Sequence, residues 1–241
     1  MFNLSPNLVK ELDSYQVSII NDSNKTPFIS FSNNIDNLLS HTKHKLGTDN
    51  SRVAASMLIR RYSSLLTALL LMISKHRLAW NGKLENILMR DDIISNHETW
   101  SPTFAINSDT WSNIEESNVE LSFHTLLSEL GNSLFTPLES DAKISKLVLW
   151  ENLWGYTLWM YSKLLSEPDL SYRVERDIAI LLDNNVWCGI EKESPFKKFL
   201  GEYSVLEAVT SYKRITCCYY YELRGQSTCP YCPKNSRKAS T

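Results

Sequence analysis

The sequence predicts a mainly α-helical protein with a small antiparallel β element, an α+β fold that ends in a cysteine-rich loop. Three observations predict this class: a long apolar run of helical period over residues 51–78, further helical runs after residue 121, and four of the five cysteines within residues 217–232. The chain has 241 residues, 43% hydrophobic and 22% charged, so it can bury a sizeable core without a metal as its main support. We divide it into a mainly helical domain, residues 1–212, and a C-terminal segment, residues 213–241.

The composition argues against several classes of protein. The net charge of −2 gives no polycationic character, so we expect no nucleic-acid partner. Five cysteines in a chain of this length do not suggest a secreted disulfide scaffold. Residues 1–6 lack the features of a signal peptide, and the longest apolar run, residues 65–73, is too short to span a bilayer. We therefore expect a cytoplasmic protein without a transmembrane segment, in which clustered reduced cysteines hold metal.

The first half of the chain is organised by its helix signal over residues 51–78. Residues 8–20 predict a short helix or strand, and residues 28–31 alternate imperfectly, as a strand would. In the run over residues 51–78 the apolar face widens until it covers nearly the whole helix, which indicates a central core helix. Arg60 and Arg61 lie in its middle, where one of them should approach the buried face.

A hairpin is predicted over residues 78–90. Asn81-Gly82 lies between apolar flanks, and both positions of such a turn favour positive φ. Residues 87–89 and 104–106 predict further short strands of the same sheet. The carboxylate pairs Asp91-Asp92 and Glu115-Glu116 are interpreted as solvated, since neighbouring side chains of a strand point to opposite faces.

The second half predicts three helices and a short fourth that leads into the cysteines. They cover residues 121–135, 141–165, 169–182 and 204–212. His124 is interpreted as a packed or capping residue. The interpretation of Trp150, Trp154 and Trp159 is core packing, with the wall of a ligand groove as the alternative. Cys188 has no second cysteine nearby, so we expect a buried structural thiol.

The four C-terminal cysteines, Cys217, Cys218, Cys229 and Cys232, have the spacing C-C-x10-C-x2-C. Three interpretations are open: a structural zinc site, disulfides or redox thiols, and a [2Fe–2S] cluster. Zinc usually takes two C-x2-C pairs, whereas here one pair is adjacent and its side chains diverge. A cluster of two irons is wider than a single ion and tolerates this divergence, while a reducing compartment disfavours disulfides. The spacing therefore favours the cluster.

The segment that carries these cysteines is basic. From residue 213 onward Glu222 is the only acidic residue. The cations are Lys213, Arg214, Arg224, Lys234, Arg237 and Lys238. A cluster with four thiolates carries negative charge, so nearby cations stabilise it and tune its potential. They could also attract an anionic partner.

Residues 213–221, with the sequence KRITCCYYY, and residues 229–233, CPYCP, resemble the C-terminal signature of the FhuF-like siderophore-iron reductases. The shared features are basic residues before the adjacent pair, aromatic residues after it, the ten-residue gap and a proline after the last cysteine. The resemblance implies that Cys217, Cys218, Cys229 and Cys232 bind a [2Fe–2S] cluster, and Cys188 matches nothing in the motif. It also implies that residues 1–212 bind the siderophore, because the family's helical domain is similar to part of the siderophore synthetases.

The activity that this resemblance implies is that of a ferric-siderophore reductase. One electron passes to a cytoplasmic ferric siderophore of hydroxamate or citrate-hydroxamate type, and Fe(II) is released for the cell. No G-x-G-x-x-G follows a strand, so an external electron donor such as a ferredoxin or a flavin reductase is implied. Since such complexes are often anionic, we expect substrate contacts from a set of cations: Arg60, Arg61, Lys213, Arg214 and Arg224. The alternatives are a non-catalytic siderophore-binding protein with structural zinc, and an iron–sulfur electron carrier.

Overall fold

The computed structural model describes residues 4–20, 29–31, 35–90 and 100–235. They form a mainly helical fold with two small sheets, so the predicted fold class is confirmed. The helices are α1 (Pro6–Asp13), α2 (Ile35–Leu46), α3 (Ser51–His76), α4 (Val119–Leu126), α5 (Ser133–Ala142), α6 (Lys146–Leu165), α7 (Ser171–Leu182), α8 (Pro195–Leu200) and α9 (Val205–Ser211). A π-helical turn, Leu127–Asn132, joins α4 to α5.

Helix α3 is the centre of the core, as the apolar run predicted. It begins after Asn50, whose side chain accepts hydrogen bonds from the N–H groups of Arg52 and Val53. It ends where Arg77 takes the left-handed conformation with φ 53°, a common way to stop a helix. Almost every residue between these ends is buried, mainly against α6. Helix α3 is long and apolar enough to cross a bilayer, yet 83% of its most apolar 18-residue window is buried inside the protein, as in a core helix.

The larger sheet has four strands in the order β1-β5-β4-β2. The strands are β1 (Val17–Ile20), β2 (Ile29–Ser30), β4 (Leu88–Arg90) and β5 (Thr103–Asn107), and residue 28 of the predicted strand lies outside the described part. β1 pairs with β5 in parallel, and the other two pairings are antiparallel. The predicted small β element is therefore mixed, because a strand from the N-terminus joins its edge.

The predicted hairpin over residues 78–90 is wrong. β3 (Leu78–Trp80) pairs antiparallel with β6 (Trp111–Asn113) and not with β4. The Asn81 N–H continues this ladder by donating to the Thr110 carbonyl at 2.7 Å. Neither Asn81 nor Gly82 has positive φ. The glycine serves another purpose, because a Cβ at Gly82 would lie 2.1 Å from the Trp80 ring.

Several other expectations need correction. Lys143 takes the left-handed conformation with φ 50°, so the helix predicted over residues 141–165 is divided between the end of α5 and α6. Cys188 is exposed, because Trp187 beside it takes the buried position. Trp159 is also not a core residue, since it is 53% exposed on α6.

The acidic pairs have different outcomes. Asp91-Asp92 lies outside the described residues. Glu115 is exposed, whereas Glu116 accepts a hydrogen bond from Arg77 Nε at 2.9 Å and pairs with Arg176. Glu116 is exposed as well, so the second pair is solvated as predicted, while Glu116 also helps to hold the end of α3.

Candidate metal centre and adjoining pocket

The segment before the adjacent cysteines is held by a buried carboxylate. Glu151 of α6 is 0% exposed, and its oxygens accept hydrogen bonds from the N–H groups of Ile215 at 2.6 Å and Thr216 at 2.8 Å. The Thr216 hydroxyl donates to the same carboxylate, and Arg214 Nη2 lies 3.5 Å from Glu151 Oε2. A buried charge needs such partners, so α6 fixes the chain two residues before Cys217.

Cys218 is tied to both central helices through a short polar chain. Ser56 Oγ of α3 donates to the Cys218 carbonyl at 2.8 Å, and Asn152 Nδ2 of α6 donates to Ser56 Oγ at 3.1 Å and to the Ser56 carbonyl at 3.0 Å. The Cys218 side chain packs with Val53 and Met57 in a small apolar cluster separate from the main core. Tyr219 then reverses the chain with φ 60°.

The second cysteine pair is brought to the first by backbone contacts. The Arg214 N–H donates to the Tyr231 carbonyl at 3.0 Å, which joins the segment before Cys217 to the C-x2-C loop. Within that loop the Cys232 N–H donates to the Cys229 carbonyl at 3.0 Å. Cys218 and Cys232 are buried, and Cys217 and Cys229 are partly exposed. The four cysteines therefore share one region between α3, α6 and the C-terminal loop.

Their side chains influence one another's protonation. Burial, the largest cause, and the neighbouring Cys218 and Cys232 together raise the pKa of Cys229 to about 11. Burial likewise raises the pKa of Cys217, with added effects of Cys218 and Cys232. A metal cation would relieve this repulsion between thiolates, and binding would release protons.

The four cysteines supply the ligand type of a thiolate site, although within the described part of the chain no three of them are gathered around one ion. All four sulfurs interact electrostatically, and the Tyr219 N–H donates to Cys217 Sγ at 3.4 Å, the kind of contact that stabilises a ligating thiolate. Over residues 4–20, 29–31, 35–90 and 100–235, no three His, Cys, Asp or Glu side chains form a group that could hold one metal ion.

A pocket of about 350 Å³ opens directly beside these cysteines. Cys218 and Cys229 form part of one wall. Aromatic side chains form much of the rest: Tyr156, Trp159, Tyr212 and Tyr231. A volume of this size and an apolar lining with a few polar groups are typical of a small-molecule site.

Two of the predicted substrate cations line this pocket. Arg60 lines the pocket, and its guanidinium stacks on the Tyr220 ring. The distance from Arg60 Cζ to the centre of that ring is 5.3 Å. Arg214 also lines it, but its guanidinium is directed to Glu151 and to the Thr216 carbonyl, so its first role is to hold the cysteine segment.

The other three predicted cations do not line this pocket. Arg61 and Arg224 line a separate cavity of about 110 Å³ next to Tyr220, and burial lowers the pKa of Arg61 there. Lys213 is exposed. Arg237 and Lys238 lie outside the described residues. The basic flank is therefore divided between two sides of the cysteine loop.

Sequence reasoning missed the polar residues that position the site. Helices α3 and α6 are predicted as apolar core helices, yet they contain the polar residues Ser56, Glu151 and Asn152. Tyr212 is predicted only as the last residue of a short helix. The available signal was Glu151-Asn152 inside an apolar helix face, because a buried carboxylate and amide require partners.

A comparison with models of known protein families gives no match, and a comparison with curated proteins gives none either. The resemblance of the cysteine motif to the siderophore-iron reductases therefore stays a prediction.

Proposed function

We propose that this protein is a cytoplasmic ferric-siderophore reductase that passes one electron through a [2Fe–2S] cluster held by Cys217, Cys218, Cys229 and Cys232. The observation that carries the proposal is the aromatic pocket whose wall includes Cys218 and Cys229. A chelate in that pocket lies in contact with two of the four ligating residues. The cluster, when bound, accepts and donates single electrons, and the donor is external to this chain.

The chain's own residues have separate tasks in this proposal. Glu151 and Arg214 hold the cysteine segment, and Ser56 fixes the Cys218 carbonyl. Tyr156, Trp159 and Tyr231 provide the apolar walls that exclude water around the chelate. Arg60 supplies positive charge for an anionic complex.

The proposal is tested by anaerobic purification followed by absorption and EPR spectroscopy. We expect a coloured protein with two irons and two sulfides per chain, which becomes EPR-active on one-electron reduction. Rapid mixing of the reduced protein with ferric trihydroxamates or citrate-hydroxamates should bleach this signal and release Fe(II). A colourless protein that carries zinc would contradict the proposal. If a cluster is present but no ferric chelate oxidises it, the protein would be an electron carrier and not a siderophore reductase.

The four ligands are tested by single substitutions. Cys217→Ser, Cys218→Ser, Cys229→Ser and Cys232→Ser should each weaken or abolish the visible spectrum, because a serine oxygen is a poor ligand for this type of cluster. Cys188→Ser is the matched control and should leave the spectrum intact, since Cys188 is exposed and lies outside the motif. Loss of the spectrum in the Cys188 variant alone would overturn the ligand assignment.

A further inference from the structure

Three residues that line the cysteine pocket carry a buried polar atom with no hydrogen-bond partner among the described residues: Asn152 Oδ1, the Tyr212 hydroxyl and Arg214 Nη2. Arg214 Nη2 has the Glu151 carboxylate 3.5 Å away as its counter-charge, so Asn152 and Tyr212 are the two groups that remain without a partner among these residues. Asn152 is 2% exposed. Leaving such a group unpaired is costly, so each needs an explanation, and a ligand is the explanation that a pocket offers.

The orientation of Asn152 is determined by its neighbours. Its Nδ2 donates to the carbonyl of Ser56 at 3.0 Å and to Ser56 Oγ at 3.1 Å. A backbone carbonyl can only accept, so the amide cannot be turned round without losing that bond. Oδ1 therefore remains as an acceptor for another donor.

Tyr212 offers the complementary group. Its hydroxyl lies against α6, where a Cβ at Gly155 would be 3.5 Å from the oxygen. Gly155 follows Asn152 by three residues, about one helical turn along the same face of α6. The Tyr212 hydroxyl beside Gly155 therefore lies on the same side of the helix as the Asn152 side chain. Burial raises the pKa of Tyr212, so the hydroxyl keeps its proton and can donate.

We propose that Asn152 and Tyr212 form a donor–acceptor pair that recognises secondary amides in the backbone of a metal chelate. The N–H of one ligand amide donates to Asn152 Oδ1, and the carbonyl of a neighbouring amide accepts from the Tyr212 hydroxyl, because the N–H and C=O of a single trans amide point in opposite directions. The proposal rests on the proposed function, and it names the ligand more closely: an amide-bearing chelate is preferred over one of equal charge whose linkages lack N–H groups. Arg60 and the aromatic walls contribute charge and apolar contact, which do not distinguish these two chelates.

The test uses gallium, which fills a ferric chelate but is not reduced, so that binding is measured apart from electron transfer. Calorimetry on the full-length protein with its cluster compares a gallium trihydroxamate that carries secondary amides with the same chelate built with ester linkages. We expect the ester chelate to bind about tenfold more weakly, the value of one hydrogen bond to a buried group. Tyr212→Phe should weaken both chelates by about tenfold and leave the thermal midpoint equal or higher, because it removes an unpaired buried hydroxyl.

The controls separate recognition from packing. Tyr172→Phe removes a hydroxyl from a side chain that is 82% exposed on α7 and should change neither affinity. Asn152→Leu, once shown to keep its circular dichroism and cluster spectrum, should bind amide and ester chelates equally well.

The inference is overturned if the wild type binds the two chelates equally or if Tyr212→Phe binds them as the wild type does. It is also overturned if neither gallium chelate binds. Failure of the proposed function gives a different result in a different measurement: the ferric form of neither chelate would oxidise the reduced cluster.

Discussion

Glu151 is the residue on which the position of the first two cysteines depends. A carboxylate that is 0% exposed is stable only when its charge is matched, and here two backbone N–H groups, a hydroxyl and Arg214 provide the match. All four partners come from residues 214–216, directly before Cys217. The interaction is therefore local to the site and needs no other element of the fold.

Glu151→Gln should cost about 3 kcal/mol of unfolding free energy and, if the proposed cluster is present, most of its iron. The amide group of glutamine brings a donor to a position surrounded by donors, and Arg214 loses its buried counter-charge. Urea unfolding and iron content measure the two effects. Glu202→Gln is the matched control, because Glu202 is exposed, and it should change neither quantity. Full iron content in the Glu151 variant would contradict this role.

At the residue scale, the four cysteines can be recognised from the sequence, but the residues that hold them in position cannot. Cys217, Cys218, Cys229 and Cys232 are recognisable because a scarce residue recurs at short spacing. Asn152 and Tyr212 could not be predicted as site residues, since their partners are up to 96 positions away, as in the contact of Asn152 with Ser56. Exposure is equally hard to predict for a single residue, as Cys188 and Trp159 show.

Helix α6 has a glycine in its interior where the pocket begins. Gly155 lies in a 20-residue helix, where glycine costs about 1 kcal/mol relative to alanine. Apart from the helix's own backbone, the three atoms nearest to a Cβ built at Gly155 belong to Tyr212, at 3.5–3.9 Å. The missing side chain therefore leaves space in the pocket and is not required by backbone geometry.

Gly155→Ala should stabilise the protein by about 1 kcal/mol, because it raises helix propensity and makes an ordinary contact with Tyr212. Gly155→Leu should fold as well as the alanine variant but weaken binding of a gallium trihydroxamate at least about tenfold, since its side chain enters the pocket. Thermal unfolding and calorimetry provide the two measurements. Unchanged affinity in the leucine variant would show that the chelate binds elsewhere.

Among the elements, the helices follow from local periodicity and the strand pairings do not. The apolar face over residues 51–78 identified α3 to within two residues at its end. The pairing of β3 with β6 was missed because Asn81-Gly82 looks like a turn, whereas the glycine accommodates the Trp80 ring. The parallel pairing of β1 with β5 joins strands more than 80 residues apart, for which the chain has no local signal.

For the whole molecule, the C-terminal segment and the helical core should respond differently to loss of metal. The main core runs from the N-terminal helix to α9 and contains none of the four clustered cysteines. The segment over residues 213–235 is held mainly by polar and ring contacts: those of Glu151, the Ser56–Cys218 hydrogen bond and the stacking of Arg60 on Tyr220. Its apolar cluster around Cys218 is small. The division into residues 1–212 and 213–241 stays a prediction that metal removal can examine.

Removal of the proposed cluster by a chelator under reducing conditions should make residues 213–235 sensitive to trypsin while the helical core stays intact. The reason is that thiols brought together without a cation repel when ionised and lose the binding free energy that holds the loop. Mass spectrometry of the fragments and far-ultraviolet circular dichroism measure the outcome. Unfolding of α3 and α6 together with the loop would contradict the division, whereas reconstitution with iron and sulfide should restore resistance.

Asn152 contacts both the ligand pocket and, through Ser56, the backbone of Cys218. Two binding events that share a rigid residue are thermodynamically linked, and the coupling free energy is the same in either direction. If a bound chelate strengthens the hydrogen bonds of the Asn152–Ser56–Cys218 chain, the affinity for the proposed cluster rises. By the same factor, the protein without its cluster has a lower affinity for the chelate. The protein would then hold its chelate most firmly in the state that is able to reduce it.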